Sequence, residues 1–234
     1  MGGASIEIHQ DTTVEITLDN NTAYKIWDGS FLLARHLDNK DYFKSGYFSN
    51  KRCIELGAGC GLVSMAAWLL GASVVVTDLS DCLTHTKKCV DINVHRLCST
   101  NENQNEQGEF EKRRTHQMSH SKCDSFRPDN ITVLPYTWGT DPTKLNPPFD
   151  VILASDIIYK PDLTDDIIRS LALLSHPSTI LLLSYKPRSL GEDIFFPKLK
   201  TEGYQCKLVP AEDHPSEFRS SCYDLFHIIK TVDS

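Results

Sequence analysis

Two short stretches decide the fold: IELGAGCGL at Ile54–Leu62 and VVVTD at Val74–Asp78. They predict a buried strand, a glycine turn, a helix and a second buried strand that ends in an acid. Glycines at Gly57 and Gly59 let the backbone bend tightly and approach a ligand closely, which a Cβ would block. The helix N-terminus and the carboxylate of Asp78 would then face the same ligand. This arrangement predicts a nucleotide-type site at the carboxyl edge of a parallel sheet.

The spacing of the glycines distinguishes two kinds of nucleotide cofactor. A dinucleotide fingerprint requires Gly-x-Gly-x-x-Gly, and its third glycine would fall where this chain has Leu62. The chain instead has Gly-x-Gly-x-Gly, with Gly61 one position early and Glu55 two residues before the first glycine. A glycine turn without a ligand is the alternative. The flanking strands and the two acids favour a nucleotide-type ligand.

The composition predicts one globular domain spanning 1–234. With 24 basic and 31 acidic residues the formal net charge is −7, so a broad basic surface for nucleic acid is not expected. The longest apolar run, 179–184, is too short to span a bilayer, so no membrane contact is predicted. The N-terminus lacks a basic region followed by an apolar core, so no secretory signal is expected.

The eight cysteines indicate reduced thiols rather than a metal centre or disulfides. No two of them form a C-x-x-C pair, so no metal site is predicted. Several fall inside predicted strands or helices, where a free thiol behaves as a small apolar residue. Reduced thiols are typical of an intracellular protein, which predicts a cytoplasmic location, with the nucleus as a further compartment.

The remaining pattern predicts strands and helices in alternation, finishing in two strands. Strands are expected at 51–56, 73–78, 131–134, 149–154, 180–185, 204–209 and 222–229. Helices are expected near 31–37, 60–70, 80–96, 161–175 and 192–202. This alternation predicts an α/β fold, a doubly wound, Rossmann-like and mostly parallel sheet of seven strands with an antiparallel hairpin at one edge.

Two segments lie outside this alternation. Residues 5–19 alternate around a turn, which predicts an N-terminal β-hairpin placed ahead of the main fold. Residues 99–125 contain almost no aliphatic residues, which predicts a disordered polar insertion on the surface rather than a second domain. Its basic run at 112–114 could contact an acidic partner, but a solvated loop is the favoured interpretation.

Taken together, the motifs resemble the seven-β-strand protein-lysine methyltransferases of methyltransferase family sixteen. The residues that carry the resemblance are Ile26–Gly29, Glu55–Gly59, Val76–Leu79, Trp138–Gly139 and Asp156–Tyr159. Later, Glu217–Ser220 and His227–Ile229 are most similar to the group within this family that modifies the AAA ATPase valosin-containing protein. The resemblance covers nearly the whole chain apart from 99–125.

The resemblance implies that the cofactor is S-adenosyl-L-methionine and that the methyl acceptor is a lysine of a protein substrate. It also implies that this substrate is an AAA ATPase or a chaperone and that the enzyme is a monomer. It implies a cofactor pocket lined by Trp27, Gly57, Ala58, Gly59, Asp78, Trp138 and Ser155. Glu55 would hold the methionine amino group, directly or through water. The family usually has a small apolar residue at Ser155. After Tyr159, Lys160–Asp162 stands where relatives often carry an acid nearby.

Methyl transfer from a sulfonium is a direct displacement, so the protein mainly aligns the nucleophile and excludes water. A lysine must attack as the neutral amine, and at pH 7 roughly one lysine in a few thousand is neutral, a barrier of about 4–5 kcal/mol. We hypothesise that Asp156 orients the incoming lysine and that Tyr159 packs beside it or accepts a hydrogen bond. The structural alternative is that Asp156 caps the following helix and Tyr159 fills the core.

Two other functions remain open at this point. Small-molecule and nucleic-acid methyltransferases use the same fold. The Asp-x-x-Tyr element argues against an Asn/Asp-Pro-Pro-Tyr type of base methylation, and the acidic balance disfavours nucleic acid. The second alternative is a cofactor-binding module that has lost turnover. The intact Glu55, Gly57, Gly59 and Asp78 argue against it.

Overall fold

Apolar strands and amphipathic helices build a seven-stranded sheet in the computed structural model, which describes residues 5–7, 22–111 and 128–231. In chain order the strands are β1 Arg52–Leu56, β2 Ser73–Asp78, β3 Ile131–Pro135, β4 Phe149–Ser155, β5 Ser175–Tyr185, β6 Tyr204–Leu208 and β7 Asp224–Lys230. Their order across the sheet is β3-β2-β1-β4-β5-β7-β6. The β5–β7 and β7–β6 pairs are antiparallel, and the other four pairs among these strands are parallel. The predicted fold class is confirmed.

Helices cover both faces of this sheet. Within the described ranges they are α1 Asp28–His36, α2 Leu62–Leu69, α3 Leu83–Glu111, α4 Thr164–Leu174 and α5 Glu192–Thr201. Every residue of α2 is buried, because this helix packs against α1 on one side and against β1 and β2 on the other. In the part of the chain that the structure describes, no helix is both long and apolar enough to cross a membrane.

The alternation of side chains along β4 shows why its sequence is a continuous apolar run. Val151 and Leu153 pack into the apolar cluster beneath α1, α2 and α3, whereas Ile152 and Ala154 pack into the cluster beneath α4 and α5. All four side chains are almost completely buried. A parallel strand covered by helices on both faces cannot show the polar alternation of a strand with one wet face.

The structure differs from the sequence prediction around α3. The helix predicted over 80–96 spans Leu83–Glu111 and so extends beyond its predicted end into the first part of the predicted insertion, 99–125. Glutamate and glutamine favour helix without requiring an apolar face, and the apolar pattern alone does not register them. The rest of that predicted insertion, 112–125, lies outside the described residues, as does most of the predicted hairpin, 8–19.

Buried His36 on α1 and half-buried His227 on β7 form a pair at one edge of the core. Their Nε2 atoms lie 2.7 Å apart, so one ring donates a hydrogen bond and the other accepts it. Burial, with the neighbouring His227 and His214, lowers the pKa of His36 to about 3. Burial, with Lys207 nearby, lowers the pKa of His227 to about 4. Both rings are therefore neutral in the folded protein at pH 7.

We expect the free energy of unfolding to fall between pH 7 and pH 5, and His36→Gln to reduce that fall. The unfolded chain protonates its histidines below the ordinary pKa of 6.5, whereas folded His36 stays neutral until the pH approaches about 3. The stability is therefore present above pH 6.5 and lost as the pH falls toward the folded value. For His36 the loss amounts to about 2 kcal/mol between pH 7 and pH 5.

Urea unfolding at the two pH values measures this effect. The control is Gln205→Ala, which changes an exposed residue on β6 without a titratable group and should leave the pH dependence of the wild type unchanged. An equal loss of stability in His36→Gln and in the wild type would contradict the assignment.

Candidate active site

A cavity of about 470 Å³ opens at the carboxyl ends of β1, β2 and β4. Gly57, Asp78 and Ser155, which follow or end these three strands, all lie on its wall. The chain winds outward from β1 in one direction through β2 and in the other through β4, and open α/β sheets bind ligands at such a switch point. The volume is within the range of about 300–1,000 Å³ that is typical of small-molecule sites.

The structure brings together the residues that the resemblance assigns to the pocket. All seven predicted lining residues are on the cavity wall, namely Trp27, Gly57, Ala58, Gly59, Asp78, Trp138 and Ser155. The two predicted catalytic residues, Asp156 and Tyr159, are on the same wall. Glu55 is the exception, because it does not line the cavity.

The glycine turn forms part of the cavity wall with its backbone. Gly57, Gly59 and Gly61 have φ angles of +65°, +54° and +73°, in the region that favours glycine. A Cβ on Gly59 would lie 3.2 Å from the carbonyl oxygen of Ala23, and one on Gly57 would lie 3.0 Å from the ring of Trp138. A side chain at Gly57 or Gly59 would therefore crowd these neighbours, and with glycine there a ligand can contact the main chain directly.

Asp78 holds this turn from the neighbouring strand. Its carboxylate accepts hydrogen bonds from the backbone N–H of Gly59 at 2.7 Å and of Leu79 at 2.8 Å. Burial raises the pKa of Asp78, and these hydrogen bonds partly offset that effect. An ionised carboxylate offers about four acceptor positions, so Asp78 can still bind the two hydroxyls of a ribose while it fixes the turn.

Glu55 supports α2 and is fully buried. Its Oε2 accepts hydrogen bonds from the backbone N–H of Ser64 at 2.8 Å and from the Ser64 hydroxyl. Its Oε1 has no hydrogen-bond partner in the structure, and burial raises the pKa of Glu55 to about 8. Glu55 does not reach the cavity wall, and its direct contact with the methionine amino group stays a prediction. A contact through water stays a prediction as well.

Asp156 connects the Trp-Asp-Gly motif before α1 with the Asp-x-x-Tyr motif after β4. It follows β4 with a φ of +53°, and its carboxylate accepts hydrogen bonds from the N–H of Gly29 at 3.2 Å and of Lys186 at 3.1 Å. A Cβ on Gly29 would lie 2.3 Å from Asp156 Oδ2, so this position requires glycine. The Trp-Asp-Gly and Asp-x-x-Tyr motifs therefore form one unit. Asp156 does not cap the following helical turn, which begins at Pro161 without a side-chain cap.

Arg188 is a site residue that the sequence reasoning missed. Its Nη1 lies 3.0 Å from Asp156 Oδ1, and its guanidinium lies 5.4 Å from the ring centre of Trp27. The side chain of Asp156 is only 5% exposed, so solvent screens this ion pair weakly. Its position shortly after β5 could have indicated this role, because the carboxyl ends of parallel strands lie at the same edge of the sheet as the cavity.

Tyr159 and Trp138 form the aromatic part of the wall. Their rings meet edge to face, with centroids 6.4 Å apart. Burial raises the pKa of Tyr159, and the negative charge of Asp78 adds to this effect. The hydroxyl therefore stays protonated near neutral pH and can donate as well as accept a hydrogen bond. Tyr159 is half-buried on the cavity wall, so the alternative that it fills the core is wrong.

Comparisons with known proteins agree with this geometry. A family model described as lysine methyltransferase matches residues 5–125 and 123–202. The chain is 28% identical over 188 residues to EEF1A lysine methyltransferase 3 of Xenopus tropicalis, covering 80% of this chain and 68% of that protein. It is 29% identical over 208 residues to protein N-lysine methyltransferase METTL21A of Danio rerio, covering 83% of this chain and 79% of that protein.

A solved structure gives the same fold at low sequence identity. The glycopeptide N-methyltransferase MtfA in complex with S-adenosyl-L-methionine aligns with a TM-score of 0.56 and 12% identity. The alignment covers 93% of this chain and 100% of that one. At this identity the likeness supports the architecture alone.

We expect Asp78→Ala to weaken the binding of S-adenosyl-L-methionine by roughly 10- to 100-fold. The substitution removes the acceptor for Gly59 and the acceptor predicted for the ribose, and hydrogen bonds to charged groups contribute about 1.5–3 kcal/mol. Calorimetric titration measures the affinity once thermal unfolding has shown that the variant is folded. Asp129→Ala, at an exposed position before β3, is the control with unchanged affinity. Wild-type affinity in a folded Asp78→Ala protein would refute this role.

Proposed function

The chain belongs to the lysine methyltransferase family, and from this we propose how its cavity transfers a methyl group to a protein lysine. It is an S-adenosyl-L-methionine-dependent enzyme that methylates protein lysine side chains. One observation carries the assignment of roles: the glycine turn with Asp78 and the Asp156–Tyr159 motif line the same cavity. Donor and acceptor can therefore meet in one enclosed space.

The donor half of the site is built by β1, β2 and the segment after β3. When bound, S-adenosyl-L-methionine supplies the methyl group from a positively charged sulfonium. The backbone of Gly57–Gly59 faces the cavity and would hold the methionine end, while Asp78 would accept the ribose hydroxyls. Trp138 offers a flat ring on which adenine can stack. These residues fit the cofactor because the backbone carries no side chain at Gly57 or Gly59, where a Cβ would lie only 3.0–3.2 Å from neighbouring atoms, so a ligand can approach the main chain.

Asp156 and Tyr159 position the acceptor lysine in this proposal. The carboxylate of Asp156 is held by Gly29, Lys186 and Arg188, so its location is set before a substrate arrives. Such preorganisation lowers the entropic cost of aligning a nucleophile. The protonated hydroxyl of Tyr159 can accept a hydrogen bond from the amine and pack beside its methylene chain. Neither side chain has to act as a strong base.

Arg188 offsets a cost that Asp156 would otherwise impose. An isolated carboxylate near the acceptor would favour the ammonium form of lysine, which cannot attack. The guanidinium 3.0 Å from the carboxylate compensates its negative charge in a weakly screened environment. The acceptor lysine can then lose its proton to solvent more readily. We assign Arg188 as a positioning residue that keeps the pKa of the acceptor low.

The substrate proposed here is an AAA ATPase or a chaperone, supported by the resemblance of Glu217–Ser220 and His227–Ile229 to one group of the family. A relative is named EEF1A lysine methyltransferase 3, which makes EEF1A the competing candidate. Incubating each purified candidate and a cell extract with the enzyme and radiolabelled cofactor identifies the methylated protein. Label on the AAA ATPase or chaperone supports the proposal, and label confined to EEF1A or another protein replaces it.

We also propose a cytoplasmic location with access to the nucleus, tested by cell fractionation.

We expect Asp156→Asn and Tyr159→Phe each to lower the turnover number roughly tenfold or more, because a misaligned nucleophile reacts more slowly. The amide introduced by Asp156→Asn keeps one acceptor oxygen, so it can retain the hydrogen bond from Gly29 N–H or from Lys186 N–H but not both, and it loses the charge that pairs with Arg188. Thermal unfolding shows whether this variant is folded before turnover is compared. Cofactor affinity, measured separately by calorimetry, should change little in Tyr159→Phe. Tyr47→Phe, remote from the cavity, is the control. Normal turnover in both cavity variants would remove the proposed roles.

We expect Arg188→Gln to move the pH–rate profile of methylation to higher pH by about one unit, since a neighbouring opposite charge shifts a pKa by about 1–3 units. The substitution leaves Asp156 without its cationic partner, so the acceptor lysine holds its proton more tightly. Initial rates measured from pH 6 to pH 10 test this. Arg169→Gln, at an exposed position on α4, should leave the profile unchanged. A lower rate in Arg188→Gln with an unshifted profile would show that Arg188 serves the fold alone.

A further inference from the structure

Next to the glycine turn, three side chains lie close together whose sulfur or nitrogen atoms can bind a metal: Cys60, His85 and Cys89. Cys60 belongs to the turn itself, whereas His85 and Cys89 lie on α3 four residues apart and therefore on the same face. His85 Nε2 lies 3.5 Å from Cys60 Sγ and 3.6 Å from Cys89 Sγ. In the ranges that the structure describes, this is the one group of three such residues whose ligand atoms all lie within 4.8 Å of one another.

We propose that Cys60, His85 and Cys89 form a zinc-binding site. Zinc takes cysteine sulfur at about 2.3 Å and histidine nitrogen at about 2.0–2.1 Å in tetrahedral geometry, which places a sulfur and a nitrogen ligand about 3.5 Å apart. Both observed sulfur–nitrogen distances match this value. The ion can therefore be accommodated with little movement of α3 or the turn. Thiolate and imidazole are also the ligand types that favour zinc over magnesium or calcium.

The surroundings hold the three ligands in place. Thr86, between His85 and Cys89, donates a hydrogen bond from its hydroxyl to the carbonyl oxygen of Gly59 at 2.7 Å, which fixes α3 against the turn. The ring of Tyr24 packs on the ring of His85, with centroids 4.9 Å apart. The turn and α3 therefore hold the three ligands in place before a metal binds. Preorganised ligands bind a metal at lower entropic cost.

The site has an entry path and an open coordination position. Cys60 lies on the cavity wall, so an ion can reach its sulfur from the cavity, although Cys60 and Cys89 are otherwise buried. Three protein ligands leave the fourth position of the zinc for a water molecule. Binding forms two Zn–S bonds and one Zn–N bond, and the two thiol protons pass to solvent without any change of oxidation state. Zinc affinity should therefore rise with pH.

Metal titration of the reduced, metal-free chain 1–234 tests the site. Cobalt(II) is the spectroscopic probe, because a four-coordinate cobalt site with thiolates gives intense ligand-field bands and a sulfur-to-cobalt charge-transfer band. We expect one cobalt per chain and displacement of the bands by one equivalent of zinc. Cys60→Ser and Cys89→Ser should each weaken zinc binding at least 100-fold. Cys222→Ser, which changes an exposed cysteine, should bind zinc as the wild type does.

Thermal unfolding supplies a second measurement, because a substitution at a buried cysteine can prevent folding. Zinc that binds only the folded chain should raise the wild-type unfolding temperature, with no such rise in His85→Gln. His85 is half-buried, so this variant carries the test if Cys89→Ser does not fold. The proposal is overturned if the folded wild type gives no thiolate–cobalt band. It is overturned equally if the band and the thermal shift persist unchanged in Cys60→Ser and His85→Gln.

Discussion

The hydrogen bond from Gly59 N–H to the Asp78 carboxylate is the contact on which the cofactor half of the site depends. It exists because β1 and β2 are parallel neighbours with Leu56 opposite Thr77, so the turn after one strand meets the last residue of the other. The N–H of Ala58 also donates to the Thr77 carbonyl at 2.9 Å. Strand register thus sets the shape of the turn, and the same carboxylate can serve both the turn and a bound ribose.

A second set of contacts fixes the part of the cavity wall that is proposed to hold the acceptor lysine. Asp156 N–H donates to the Ser184 carbonyl at 2.8 Å, and the Ser184 hydroxyl donates to the Gly29 carbonyl at 2.7 Å. The first turn of α1 is therefore tied to the ends of β4 and β5, next to the ion pair of Asp156 with Arg188. In the proposed mechanism, a site assembled this way would position an amine accurately and rely on charge compensation instead of a strong base.

Most of the architecture could be predicted because its signals are local. The apolar runs that became β1, β2 and β4 are visible in the sequence, and their predicted bounds differ from the observed ones by a residue at most. The continuation of α3 to Glu111 was missed because polar helix formers leave no apolar period. Glu55 was assigned to the cofactor from its place in the motif, whereas its carboxyl turns toward Ser64 on α2. Side-chain direction at a strand end depends on the packing around it.

The sequence by itself determined the order of strands and helices, the glycine turn and the acid at the end of β2, because backbone dihedral preferences and apolar periodicity are properties of neighbouring residues. Only the tertiary structure decided that Arg188 compensates Asp156 and that Cys60 meets His85 and Cys89. Arg188 is 32 residues from Asp156 along the chain, and His85 is 25 residues from Cys60. Coulombic, hydrogen-bond and coordination geometry depend on distances of a few ångströms, which the register of the sheet and the packing of α3 against it set.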